Sequence, residues 1–347
     1  MVKFFGRLGL ADVVRGTDRV RNDVYGDALT MNEGYEFGGN DTLSGRNRAE
    51  NNLYGDAEEM WDGFGGNDLL TGANWAKNWL YGDAGVMFGY QGGNDSLIGG
   101  NNSENHLFGD AGSMPYGDGG DDFLKGGNRS TNMLYGDAQS MGAESSGGSD
   151  ILIGGNRSAN TMYGDAQSLY SAHGGDDHLT GGMHGTNWLY GDGETIERYS
   201  SGGNDVLVAG DKSVNYMFGD VKYADDTSRF GNDRLVSGTG TDHMYGDAIN
   251  KSVDHTPGAD VFVFKKNSGN DFIYDFDLGL DKIEVALPKV AKPAGASGKE
   301  AYTFKHLGIS EFEDDAYGSS SVVAFNASNS VTIYGVTGLT ESDFIFV

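Results

Sequence analysis

Two columns of aspartate hold the chemistry that this sequence can do. One follows Tyr/Phe-Gly: Asp27, Asp56, Asp83, Asp110, Asp137, Asp165, Asp192, Asp220 and Asp247. The other closes Gly-Gly-Asn/Asp/Ser-Asp or a close variant: Asp41, Asp68, Asp95, Asp122, Asp150, Asp177, Asp205, Asp233 and Asp260. Each column advances by 27 to 29 residues per step, and two columns that keep step over most of the chain define a repeat. Carboxylates are hard oxygen donors, and the glycines beside them let turn carbonyls point the same way, so a stack of such turns selects Ca2+. All of these aspartates are candidate metal ligands, with two carboxylates per repeat expected on one edge of the stack and an aspartate of one repeat sharing an ion with the next. A purely structural role, capping turns through their own backbone, leaves the charge balance unrelieved. The chain carries 51 acidic against 24 basic residues, a net charge of -27, and bound cations would offset that self-repulsion. Because such a site exists only once the repeats assemble, ion binding would be folding free energy.

The elements that position these turns are short strands. Asp-x-Leu-x-Gly, as in Asp41-Thr42-Leu43, gives one strand with a single inward leucine; the segment ending in Tyr/Phe-Gly-Asp gives another, both bounded by glycine turns. Strands this short are stable only when successive coils stack. The expected fold is therefore all-β: a parallel β-roll or β-solenoid of about nine 27-residue coils with a C-terminal β cap, the repeats occupying residues 1-255 and the cap residues 256-347. Leu43, Leu70, Leu97, Leu124, Leu152, Leu179, Leu207 and Leu235 would line one wall, and Leu53, Leu80, Leu107, Leu134, Met162, Leu189, Met217 and Met244 the other. Met31, Met60, Met87, Met114, Met141, Leu169 and Ile196 are read as filling the inside of a long turn rather than as a soft-metal site, since no cysteine accompanies them. Asn22, Asn51, Asn78, Asn105, Asn132, Asn160, Asn187 and Asn215, continued by Asp242, read as a stacked amide ladder.

The Gly-Gly-x-Gly-x-Asp-x-Leu pattern, best kept at Gly63-Phe64-Gly65-Gly66-Asn67-Asp68-Leu69-Leu70, resembles the RTX (repeat-in-toxin) family of secreted calcium-binding β-roll proteins. Two departures stand out: an inserted segment separates Gly-Asp-Ala from Gly-Gly-Asn-Asp, and the opposite turn, Gly-Gly-Asn-x-Ser-x-Asn, lacks carboxylates, so calcium is expected on one edge only with a polar Asn/Ser edge opposite. The final residues, Glu341-Ser342-Asp343-Phe344-Ile345-Phe346-Val347, are similar to that family's uncleaved export signal. The resemblance implies export through a type I secretion apparatus from a Gram-negative bacterium, and a protein that is secreted, extracellular or held at the cell surface, folding when it meets calcium.

Other chemistry is thinly represented. The absence of cysteine excludes disulfides and thiolate sites. The N-terminus reads as neither a signal peptide nor a membrane span, and no transmembrane segment is expected. No Lys/Arg stripe exists to release phosphate counterions, so nucleic acid is not an expected partner. His173, His178 and His184 lack the helical frame of a zinc protease, and no nucleophile elbow or P-loop occurs. Catalytic residues are not identifiable. Trp61, Phe64, Phe88, Tyr90, Tyr116, Tyr170, Tyr199, Tyr223 and Phe230 would decorate one side of the rod, which suits polysaccharide binding or self-association. The first functional reading is an extracellular structural, surface or matrix-binding protein. The alternative is a calcium-dependent β-solenoid enzyme, a lyase, epimerase or hydrolase of extracellular polysaccharide, using paired carboxylates such as Glu58/Glu59 or Asp225/Asp226.

Overall fold

The computed structural model describes residues 1–31, 36–250, 256–291 and 299–347, with the backbone alone at Tyr90, Val290 and Ala291. Each coil opens with a three-residue strand such as Thr42–Ser44, Leu69–Thr71 or Ser96–Ile98. Its central leucine points inward and its neighbours outward, as the pleat requires. A turn leads to a five-residue strand such as Glu50–Tyr54, Lys77–Tyr81 or Glu104–Phe108, which sends its asparagine and leucine inward. The leucine of each coil pairs in register with that of the next, Leu43 to Leu70 to Leu97 and onward to Leu235. Opposite them Leu53, Leu80, Leu107, Leu134, Met162, Leu189, Met217 and Met244 do the same. These strands build a 12-stranded and a 14-stranded sheet that enclose one apolar core. Each fully buried leucine contributes about 1.5–3 kcal/mol, and only stacking supplies its neighbours.

The methionine column requires a correction. Its residues are buried, but the segment that carries them is a third wall rather than a long turn. Ala57–Trp61, Ala84–Gln91, Ala111–Asp118 and their equivalents, ending at Val221–Ala224, form an 8-stranded parallel sheet. Ala57 and Met60 both face inward although three residues apart, so the period of two by which a strand is read is broken. This sheet packs over a second core of Ala and Met columns. A return segment closes it, paired only by single bridges such as Ser146 to His173 to Ser201. A coil thus has two lobes, each with its own core.

The asparagine column is a continuous buried ladder. Each Nδ2 donates to the Oδ1 of the next coil, from Asn22 to Asn51 (2.9 Å) through Asn187 to Asn215 (2.6 Å), and Asn215 donates to Asp242 (2.6 Å). Each amide also clamps its own turn: Asn132 Oδ1 accepts from Gly127 N at 3.0 Å while Nδ2 donates to Gly127 O at 2.9 Å. On the other face of the same sheet the Tyr/Phe of Tyr/Phe-Gly-Asp form a ring stack from Tyr25 to Tyr245, continued by Tyr274, with centroids 4.7 to 5.2 Å apart.

Beyond the repeats, Val261–Lys265, Lys282–Ala286 and Phe344–Phe346 continue the 12-stranded sheet. Asn270–Ile273 and Asn329–Ile333 continue the 14-stranded one, and the antiparallel strands Gly318–Asn326 and Gly308–Asp314 end it. Among the described residues there is no α-helix, and no helix is long and apolar enough to cross a membrane.

Asn132→Ala removes two donated and two accepted bonds in the middle of the ladder. Thermal melts of the folded protein are expected to show a loss of about 3 kcal/mol, against about 0.5 kcal/mol or less for the exposed Gln139→Ala. Equal losses would remove the ladder from the account of stability.

Candidate metal centre

The two aspartate columns sit at the two corners where the lobes meet. Tyr/Phe-Gly-Asp turns the chain from the 14-stranded sheet into the third sheet, and Gly-Gly-x-Asp turns the return segment into the 12-stranded sheet. These corners face one another, so the carboxylates form a spine between two apolar cores. Here too the sequence expectation is corrected. The aspartates do not line an outer edge, because the inserted segment folds back as a second lobe and covers them; Asp56, Asp83 and Asp110 are 0% exposed.

Within the spine, Asp27, Asp41 and Asp56 bring one oxygen each within 4.8 Å of one another, as do Asp56, Asp68 and Asp83, and Asp83, Asp95 and Asp110. Each triad takes two corners from one coil and one from the next, and Asp56 and Asp83 each serve two triads. The remaining aspartates of both columns occupy the same registers in later coils. One oxygen of each carboxylate is spent on backbone. In the first column it accepts from a glycine of its own coil, as Asp83 does from Gly93 N (2.9 Å) and Asp192 from Gly203 N (2.7 Å). In the second it accepts from the preceding coil, as Asp95 does from Asp68 N (2.6 Å) and Asp205 from Asp177 N (2.7 Å). Apart from Asp110 and Asp247, every aspartate of the two columns keeps its other oxygen buried without a hydrogen-bond partner.

Glycine is obligatory here for reasons of space. A Cβ on Gly55 would collide with the Gly82 carbonyl oxygen and the Asp68 carboxylate, and Gly82 and Gly109 stand in the same relation to the next coils. Backbone carbonyls and carboxylates thus crowd together, and among the described residues no cationic side chain pairs with an aspartate of the two columns from Asp27 to Asp233. Burial is the first cause of the resulting shifts: it lifts Asp41, Asp83, Asp137 and Asp192 to about 7. Asp56, Asp95 and Asp205 are raised well above the usual range by burial and by neighbouring carboxylates. A buried cluster of three carboxylates and adjacent carbonyls fits a hard cation that accepts many oxygen ligands in flexible geometry, as Ca2+ does.

The columns extend further than the motifs do. Asp12 N donates to Asp41 Oδ1, and Asp260 N donates to Asp281 Oδ1 at 3.0 Å, placing Asp12 and Asp281 in the second column. Asp275 likewise accepts from Gly246 N and Asp247 N. Asp12-Val13-Val14 and Asp281-Lys282-Ile283 keep the Asp-x-apolar frame but lack the double glycine, and that frame was the available signal. The other candidates are not assembled into a site. His173, His178 and His184 fall on the return segment, a strand and a turn, with His173 bonded to Ser201 Oγ. Glu58 accepts from the Tyr25 hydroxyl, and Asp225 caps a turn through Arg198 N and Thr227 N. The aromatic row is kept only in part: Trp61 stacks on Phe88 and Phe37 on Phe64, Phe230 is buried, and Trp61, Tyr116, Tyr170, Tyr199 and Tyr223 are exposed. The Tyr90 side chain lies outside the described residues.

No protein-family model matches the chain, and no curated protein sequence matches it. Among solved structures, the extracellular lipase LipA from Serratia marcescens matches with 13% identity and a TM-score of 0.19 over 86% of this chain. The chain spans 40% of that protein's length.

The raised carboxyls fix the sign of the pH response without metal. Asp41, Asp83, Asp137 and Asp192 titrate near 7 when folded against 3.8 in an open chain, so the folded state binds more protons between these values. Its stability is greatest below the open-chain value and is lost as pH rises through about 7. Chelator-treated protein is therefore expected to gain β-type circular dichroism on acidification from about pH 8 to about pH 5. Loss of that signal in acid would contradict the burial of unpaired carboxylates.

Proposed function

We propose that the chain is a secreted calcium-binding β-roll of the RTX type, folded by the ions it takes up and acting outside the cell as a structural, surface or matrix-binding protein. The observation that carries this reading is the spine of buried, unpartnered carboxylate oxygens converging beside glycine carbonyls. Bound Ca2+ supplies positive charge and replaces the missing hydrogen-bond donors. Asp56 and Asp83, each shared by two triads, are the residues that would link successive ions.

Residues 1-255 form the ion-dependent roll in this reading, and residues 256-347 its cap and export module. The terminal Phe344–Phe346 pairs with Ile283, Glu284 and Val285 in the 12-stranded sheet, and Phe344 is buried. A signal at that place is accessible to a type I apparatus only in the unfolded chain. Low cytoplasmic calcium would keep it so; extracellular modules of this chemistry bind at about 10⁻⁴–10⁻³ M.

The test is a calcium titration of chelator-stripped protein at pH about 7.5, followed by circular dichroism with magnesium as control. The disordered chain is expected to fold cooperatively with calcium and not with magnesium. Asp83→Asn, which touches two triads, is expected to raise the calcium midpoint by about tenfold and lower the ion stoichiometry. A β-rich, metal-free protein at that pH, indifferent to calcium, would end this reading.

A further inference from the structure

The edge opposite the aspartate spine carries a charge pattern that the linear sequence hides. Arg19, Arg48, Arg129, Arg157 and Lys212 come from different repeats, yet they occupy one position of the turn between the 12-stranded and 14-stranded sheets. This corrects the expectation that no basic stripe exists: the residues are far apart in sequence and align only when the coils stack. All five are exposed, and the ion pairs formed among the described residues use none of them. Trp75, Asn102 and His184 hold the same position in the intervening coils. Every residue of this column has positive φ, between 53° and 61°, a left-handed conformation that glycine or asparagine fills at least cost. The shared backbone sets these side chains at equivalent places in successive turns.

A second row runs beside the first. Asn47, Asn74, Asn101, Asn128 and Asn156 each accept, through Oδ1, the backbone N–H of the next coil at 2.7 to 3.0 Å. Their Nδ2 groups have no acceptor among the described residues and point to solvent as fixed donors. Serine hydroxyls knit the same turns, Ser103 N to Ser130 Oγ and Ser130 N to Ser158 Oγ at 3.0 Å each. A shallow trough of ≈ 530 Å³ follows the edge, lined in part by Asn128, Arg129, Asn156 and Arg157, and a second continues past His184 and Lys212.

We infer that this edge binds a linear, carboxylate-bearing polysaccharide laid along the rod. Guanidinium forks take carboxylates through paired hydrogen bonds. The asparagine amides suit sugar hydroxyl and ring oxygens, and the exposed Trp75 indole suits the apolar face of a pyranose. The coil rise of about 4.8 Å repeats the donors at close to the length of one sugar unit. A single strand of nucleic acid would call for aromatic platforms at successive positions, and this column has only Trp75 and His184, four coils apart. The assignment rests on the reading of the chain as a matrix-binding roll and names the face and the ligand class.

The test uses the full calcium-loaded chain and a fluorescent short oligogalacturonate, which stays in solution with calcium, read by polarisation. Binding is expected to weaken with added salt and to be absent for neutral dextran. Arg129→Gln with Arg157→Gln is expected to weaken it by about tenfold, with the calcium-dependent melt unchanged. Arg198→Gln, on the third-sheet turn, should leave it as it was. Should the first pair fail to fold, Arg48→Gln with Lys212→Gln reads the same column. Undiminished binding by a folded column variant, no binding by the parent, or single-stranded DNA bound as tightly as the oligogalacturonate each overturns the assignment. The calcium reading fails separately: a chain that folds without calcium and still binds through Arg129 and Arg157 keeps the ridge and loses only the ion.

Discussion

Like charges buried against one another set the terms for this structure. Two rows of carboxylate face each other between two apolar cores, and unpaired buried charge is among the most destabilising features a fold can contain. The spine is therefore stable only with protons or cations in it. The glycines follow from the same constraint, since Gly55, Gly82 and Gly109 leave room for carbonyl oxygens that any side chain would displace. Shared membership of Asp56 and Asp83 in adjacent triads ties the state of one coil to that of the next. Cations held in this spine would act as the cross-links that a chain without cysteine lacks.

Around that spine, stabilisation is one-dimensional. Leucine, asparagine and aromatic columns each contact their own kind one coil away, so each coil is incomplete without its neighbours. The asparagine ladder has a direction, every amide donating toward the C-terminal side. It ends on Asp242, an acceptor that receives from Asn215 and from Gly238 N. A carboxylate at that end of a row of aligned amide dipoles is favourably placed, by the reasoning that favours anions at the donor end of a helix.

Much of this was legible because a period leaves its mark on sequence. The Leu43 and Leu53 columns, the Asn22 column and both aspartate columns each recur at a fixed position, and position in the repeat is position in the coil. What could not be read was how the coil closes. Met60 and Ala57 sit out of alternation, so a strand passed for a turn, and with it went the second core and the burial of the aspartates. The arginine column escaped because its members are unlike one another in type: Trp75, Asn102 and His184 interrupt the cations, although each stands three residues before a ladder asparagine, as Arg48 does before Asn51 and Arg129 before Asn132. Asp12 and Asp281 were missed because they keep the aspartate but not the glycines that announced the others.

The two lobes differ in how they treat length. From Asp68 to Tyr81, and likewise from Asp95 to Phe108 and Asp150 to Tyr163, the chain takes 13 residues, a length kept until the last repeat, where Asp233 to Tyr245 takes 12; from Asp83 to Asp95 it takes 12 and from Asp137 to Asp150 it takes 13. An extra residue in the first lobe would turn a leucine outward and pull an asparagine from its ladder; in the second it disappears into a loosely bridged return. Growth of such a molecule is accordingly quantised. Whole coils can be duplicated without any residue losing its partner, and ornament can accumulate on one flank, while the other flank holds its gauge up to the last repeat, like the graduations of a ruler whose length is free but whose scale is not.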